Sequence, residues 1–169
     1  VVKLTQVTRK IASGNFLVKA DEAGSNELTE LSTAFNIMTQ KLRESRLLLN
    51  SIVEHIPIMV FVKRASDLRI ELFNPAGQQF MGYSSDELLG KGNYDLWPKK
   101  EAGFFTAADR KVLASHEVLE IPEETVAKAN GEVVYLQTWK IALRDESDEP
   151  THLLGISIDI TERRRSEES

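Results

Sequence analysis

The sequence predicts a helical segment joined to an α+β domain built on an antiparallel sheet. Three observations lead there. Through the first third of the chain, apolar residues recur at alternating spacings of three and four. At Pro57 the period changes, and short runs rich in β-branched and aromatic residues take over. Those runs follow the order two strands, three helices, three strands, which suits a sheet with its helices gathered on one side.

The helical seam runs through Leu28, Leu31, Phe35, Met38, Leu42, Ser45, Leu49, Ile52 and Ile56. Ser45 is its single polar position. A stripe this narrow, sustained for about four heptads, is the pattern of a coiled coil rather than of a helix lying on a globular core. Ser25 or Asn26 can cap its start, and neither Gly nor Pro interrupts it before Pro57. A shorter helix with Leu4, Val7 and Ile11 on one side precedes it and stops at Ser13-Gly14-Asn15. Neither helix can bury its seam alone. A connector of about a dozen residues lets the two run parallel, and a twofold partner completes a four-helix arrangement, so a homodimer is expected.

Beyond Pro57, Ile58–Val62 and Arg69–Phe73 read as strands. Asn74 before Pro75 is a cap followed by proline at the first helical position. Ser84 with Glu87 forms a capping box before Leu88. Residues 99–115 read as a longer helix. Strands 118–127 and 133–143 flank Asn130-Gly131, a hairpin signal. A last strand, 152–160, follows the polar turn at 145–150. The charged tail from Glu162 is compatible with a helix, which Asp159 or Thr161 can cap.

Composition narrows the function. The 169 residues contain no cysteine, which removes disulfides, thiolate metal sites and cysteine nucleophiles. A net charge of −5 argues against a nucleic-acid partner. No apolar run approaches the roughly 20 residues that span a bilayer. The chain begins at Val1 within a helical pattern, as a piece of a longer protein would.

Two resemblances organise these readings. Ile11–Phe16, Asn26–Leu31 and Ala34–Met38 resemble a HAMP domain, a parallel four-helix coiled coil of two chains that couples a membrane receptor to a cytoplasmic output. Gly14 matches the glycine closing the first helix and Glu27 the acidic residue opening the second. Thr29 stands where the family has glycine. Phe73–Tyr83, Ser84–Lys91, Tyr94–Pro98, Asn130–Glu132 and Gly155–Thr161 together resemble a PAS domain. The domains implied are HAMP over 1–45, a helical linker over 46–57, PAS over 58–161 and the start of an output helix over 162–169.

The resemblance implies a signal-transduction segment of a membrane-bound sensor, most often a histidine kinase of a two-component system, on the cytoplasmic side of the inner or plasma membrane. A diguanylate cyclase or chemoreceptor uses the same modules. A ligand- or redox-flavin-binding receptor is the other reading. PAS domains bind small molecules between sheet and helices, but nothing in the sequence selects a ligand. His55, His116 and His152 lack paired ligand spacing, so metal and haem are not expected. The adduct-forming flavin chemistry of light sensors needs a cysteine that this chain lacks. Trp97, Trp139 and Tyr94 are available to stack on a flavin without an adduct, though core filling is the more economical role. Arg110 and Lys111 on the long helix read as solvated; the alternative, if either faces inward, is contact with a carboxylate-bearing ligand. No nucleophile–base set, P-loop or zinc motif appears, so the chain reads as non-enzymatic. The resemblance assigns signal relay to Asp159, Ile160 and Thr161 at the sheet exit, and to Glu27.

Overall fold

The computed structural model describes residue 6, residues 8–10 and residues 26–167. The chain divides into two compact units, Val1–Ile52 and Val53–Ser169. The first expected helix (Leu4, Val7, Ile11), Gly14 and the connector lie outside the described residues, although Gln6 and Thr8–Lys10 are helical.

Helix α1 (Asn26–His55) runs thirty residues without a break. The side chains of Glu27 and Leu28 lie outside the description. Of the other seam positions, Leu31, Met38, Leu42, Leu49 and Ile52 are about half exposed or more, Phe35 is half-buried and Ser45 is exposed. Ile56 falls one residue beyond the helix, so the helical seam ends at Ile52. The buried positions are instead Ser32 and Thr39, one heptad apart. Thr39 donates its hydroxyl to the Phe35 carbonyl at 2.9 Å, which satisfies it without a partner helix.

The second unit is a five-stranded antiparallel sheet in the order β2-β1-β5-β4-β3. Its strands are β1 (Met59–Arg64), β2 (Ile70–Phe73), β3 (Leu119–Ala127), β4 (Val133–Arg144) and β5 (Pro150–Asp159). Between β2 and β3 lie four helices rather than the expected three: α2 (Pro75–Met81), α3 (Ser85–Leu88), α4 (Asn93–Leu96) and α5 (Lys99–Leu113). The extra one, α4, is a single turn held by the Gly92 N–H donating to Asp95 Oδ2 at 2.9 Å, too short to carry a period. Helix α6 (Thr161–Glu167) follows β5 directly.

Local chemistry explains the joints. Asn74 caps α2 as its sequence context implies, accepting the Gly77 N–H at 3.0 Å. The same Oδ1 accepts the Val60 N–H and the amide donates to the Ile58 carbonyl, so one buried side chain ties α2 to β1. Ser84 donates through N–H and Oγ to Glu87 Oε2. The β3–β4 connection is a five-residue loop, 128–132, the span that the sequence leaves between the two strands. Gly131 sits there at φ 84°, a conformation that suits glycine.

The core sits between sheet and helices. It is built from alternate residues of the strands, with Met59, Phe61, Leu136 and Leu153 meeting Met81, Leu88, Phe105 and Val112. Phe61 pairs across β1–β5 with Gly155. A Cβ at Gly155 would overlap the Phe61 ring. Gly155→Ala is therefore expected to cost about 1–3 kcal/mol by overpacking, measured by urea unfolding. An unchanged midpoint would mean that Phe61 has free space to move.

Candidate functional site

A cavity of about 50 Å³ lies between the sheet and α4–α5. Much of its wall is apolar: Met59, Phe61, Ile70, Phe73, Met81 and Leu136. Against that wall stands a buried charge cluster. Period-two alternation places Lys63 on the same face of β1 as Met59 and Phe61, and Lys140 on the same face of β4 as Val134, Leu136 and Thr138. Asp109 lies on the buried stripe of α5 with Ala102, Phe105 and Val112.

These three meet. Lys63 Nζ is 2.7 Å from Asp109 Oδ2, and Lys140 Nζ is 2.7 Å from Asp109 Oδ1. Asn93 accepts from Lys63 through Oδ1 at 2.7 Å and donates through Nδ2 to Asp109 Oδ2 and to Thr106 Oγ1. Lys63 Nζ also stands 5.4 Å from the Phe61 ring centre. Burial pushes the Asp109 carboxyl up, but the two ammonium groups outweigh it and hold it below the usual carboxylate range. Burial lowers the Lys63 ammonium from its usual value, since Asp109 is shared with a second cation and repays only part of the cost.

A fourth charged group, Glu124, reaches the cavity through an irregularity in β3. Register shifts between Ile121 and Glu124. Leu119 and Ile121 face inward before this bulge; after it the inward residues are Glu124 and Val126. Pro122, which has no N–H to give, sits within the bulge on the edge strand. Thr138 donates its hydroxyl to Glu124 Oε1 at 2.5 Å, which leaves the Ser157 hydroxyl as donor to Thr138 at 2.8 Å.

At the exit of β5 the backbone is hooked to β4. Asp159 Oδ1 accepts from the Thr161 N–H at 2.9 Å and from Thr161 Oγ1 at 2.5 Å. Thr161 Oγ1 in turn accepts the Tyr135 N–H at 3.0 Å, and the Ile160 N–H donates to the Tyr135 carbonyl at 2.9 Å. Asp159 thus caps α6 through Thr161, while Arg163 reaches Glu167 at 3.9 Å. A groove of about 260 Å³ beside the hook is lined by Phe80, Ile158 and Asp159, and it shares Met59, Leu136 and Ser157 with the inner cavity.

Other candidates fall elsewhere. Arg110 is exposed and donates to the Ala65 carbonyl at 2.9 Å, and Lys111 is exposed. The inward residue is their neighbour Asp109. His116 faces Asp148 at 2.8 Å and His152 faces Glu71 at 2.9 Å, both away from the cavity, and His55 is exposed at the end of α1. Among the described residues no group of three or more His, Asp or Glu could hold a metal ion. Trp97 lines the cavity, Tyr94 is 60% exposed, and Trp139 stands on the opposite face of β4. The three do not converge on one ring, and the cavity is far below the roughly 300–1,000 Å³ of sites for larger ligands. These residues do not fit a flavin.

The family comparisons identify a sheet of this order, closed on one side by short helices, as part of a sensory signal-transduction module. Residues 53–165 match the PAS fold and residues 1–44 match the HAMP domain. The chain belongs to the PAS fold family and carries a HAMP domain ahead of its PAS domain. An uncharacterized protein of Sinorhizobium fredii, y4lL, is 32% identical over 69% of this chain, which spans only 14% of that protein. The PAS domain of Bordetella pertussis BvgS superposes at TM-score 0.58 with 22% identity over 72% of this chain and 90% of that one. An RNA-binding light-oxygen-voltage receptor superposes at TM-score 0.61 with 20% identity, covering 69% of this chain and 33% of that one. These likenesses establish the fold. Among the described residues no helix is long and apolar enough to cross a membrane.

Proposed function

We propose that this chain is the relay-and-sensor segment of a membrane-anchored sensor kinase and that it acts as a parallel homodimer. Its own role is transmission rather than catalysis. The observation that carries the reading is the hook of Asp159, Thr161 and Tyr135. It makes the first turn of α6 an extension of two sheet strands, so a change in the β4–β5 pair is passed to the helix that leaves the domain. The order HAMP, then PAS, then an exit helix supports a serial relay of this kind. Asp159→Ala in the full-length parent tests it, as argued in the Discussion.

Dimerisation is supported by the uncovered seam of α1, where Leu31, Met38, Leu42, Leu49 and Ile52 stand exposed on one chain. A second copy covers them by knobs-into-holes packing. Sedimentation of the whole chain is expected to give a dimer, and Leu42→Lys with Leu49→Lys is expected to weaken it by at least about a hundredfold, on the scale of two buried leucines. A wild-type monomer at high micromolar concentration would overturn the dimer.

A further inference from the structure

The cavity adjoins the surface on one side. A surface groove of about 410 Å³ between the start of α5 and β3 is lined by Lys100, Phe104, Phe105, Glu123, Glu124 and Thr125. Phe105 and Glu124 also line the inner cavity. They stand as the partition between the open groove and the interior. The partition stands on an edge strand, β3, whose ladder is interrupted by the bulge beside Glu124.

Two polar groups at the cavity are only partly used by the chain. Glu124 is 9% exposed; Oε1 holds Thr138, whereas Oε2 has no hydrogen-bond partner among the described residues. The Trp97 indole N–H also has none. One is an acceptor and the other a donor. Basic and acidic side chains are present in equal number: Lys63 and Lys140 pair with Asp109, and Glu124 stands near Lys63. A bare anion or cation added here would leave one buried charge uncompensated, which is costly. At about 10–15 Å³ for each water-sized centre, 50 Å³ accommodates only a handful of non-hydrogen atoms.

We propose that the cavity receives a small molecule of zero net charge that is both donor and acceptor, a short amide or a small zwitterion. It enters from the α5–β3 groove past Phe105, gives a hydrogen to Glu124 Oε2 and accepts one from Trp97. This deepens the sensory reading and rests on it. Its signal has a route: Glu124 Oε1 is the end of the Ser157–Thr138–Glu124 hydrogen-bond chain, and Ser157 lies two residues before Asp159. A ligand drawing on Oε2 weakens Oε1 as an acceptor and loosens the β4–β5 contact that the hook reads.

The test uses the whole chain labelled with ¹⁵N, observed through its two indole N–H resonances. Trp97 reports the cavity, and Trp139, on the opposite face of the sheet, is the internal control. Glycine, acetamide, acetate and methylammonium are titrated at neutral pH. The expected result is a saturable shift of Trp97 alone, with glycine or acetamide binding at least about tenfold tighter than acetate or methylammonium. Glycine alone identifies a zwitterion site, and acetamide alone an amide site. Glu124→Gln removes one negative charge, so acetate becomes the preferred probe. Trp97→Phe keeps the ring but loses the donor and is expected to weaken the preferred probe about tenfold, read by thermal shift. A wild-type preference for either ion, no saturable Trp97 shift with any probe, or unchanged affinity in Trp97→Phe overturns the proposal. If Trp97 stays silent while Asp159→Ala abolishes the response, only the ligand assignment fails. If probes bind while Asp159→Ala responds normally, the relay reading fails.

Discussion

Asp109→Asn is expected to destabilise the PAS domain by about 3–5 kcal/mol, since it leaves two buried ammonium groups without their shared counter-ion. Lys63 and Lys140 are 4% and 3% exposed, so water cannot take over that role. Lys63→Met is the informative contrast. It removes a cation whose charged form burial already disfavours and leaves Lys140 paired one to one with Asp109. Its cost is expected to be smaller than that of Asp109→Asn, because the cation it removes is already disfavoured by burial and Asp109 keeps a charged partner in Lys140. Equal losses in the two variants would mean that the cluster acts as packed volume rather than as a charge balance.

The pH dependence has a definite sign. Asp109 is held below its ordinary value of 3.8 in the folded chain. Between the folded and unfolded values the unfolded chain binds more protons, so stability rises with pH there. The contribution is complete above 3.8 and is lost as pH falls through the lowered value. Acid unfolding of the wild type should therefore contain a component below 3.8 that Asp109→Asn lacks.

Asp159→Ala is expected to abolish the signal response of the full-length parent while costing the domain only about 0.5–2 kcal/mol, the range for loss of a helix cap. The domain keeps its core because Asp159 is exposed; what it loses is the acceptor that fixes Thr161 against Tyr135. Asp159→Asn retains a side-chain oxygen for the Thr161 N–H and is expected to restore most of the response. A role in stability alone would give two variants graded by their unfolding midpoints. A normal response in Asp159→Ala would remove the hook from the relay.

Much of this was legible from residue pattern. Asn74 before Pro75 and Ser84 with Glu87 are short-range signals, and each forms the local bond its spacing implies. Asp159 is a cap candidate from its position, but its partner is Thr161 rather than Glu162 three residues on. The charge cluster leaves a fainter mark on the sequence. Lys63 keeps step with Met59 and Phe61, Lys140 with Leu136 and Thr138, and Asp109 with Phe105 and Val112. A charged residue in phase with an apolar face is the signal; Arg110 and Lys111 beside Asp109 are more visible as cations but point outward. Glu124 was harder. Simple alternation from Leu119 and Ile121 turns Glu123 inward, and only the bulge at Pro122 shifts the phase by one. What no local pattern conveys is that three strands and a helix bring these four side chains to one place, since that depends on long-range strand order.

The central position of β1 and β5 has a consequence for how such a protein can be assembled. Met59, at the start of β1, pairs with Ser157, near the end of β5. The polypeptide therefore enters and leaves the domain on neighbouring strands, roughly 5 Å apart. A domain with adjoining ends behaves as a cassette. It can be spliced into an existing helical stalk, duplicated or removed while the segments on either side keep nearly the same separation, so recombination can exchange the sensor without redesigning what lies before and after it.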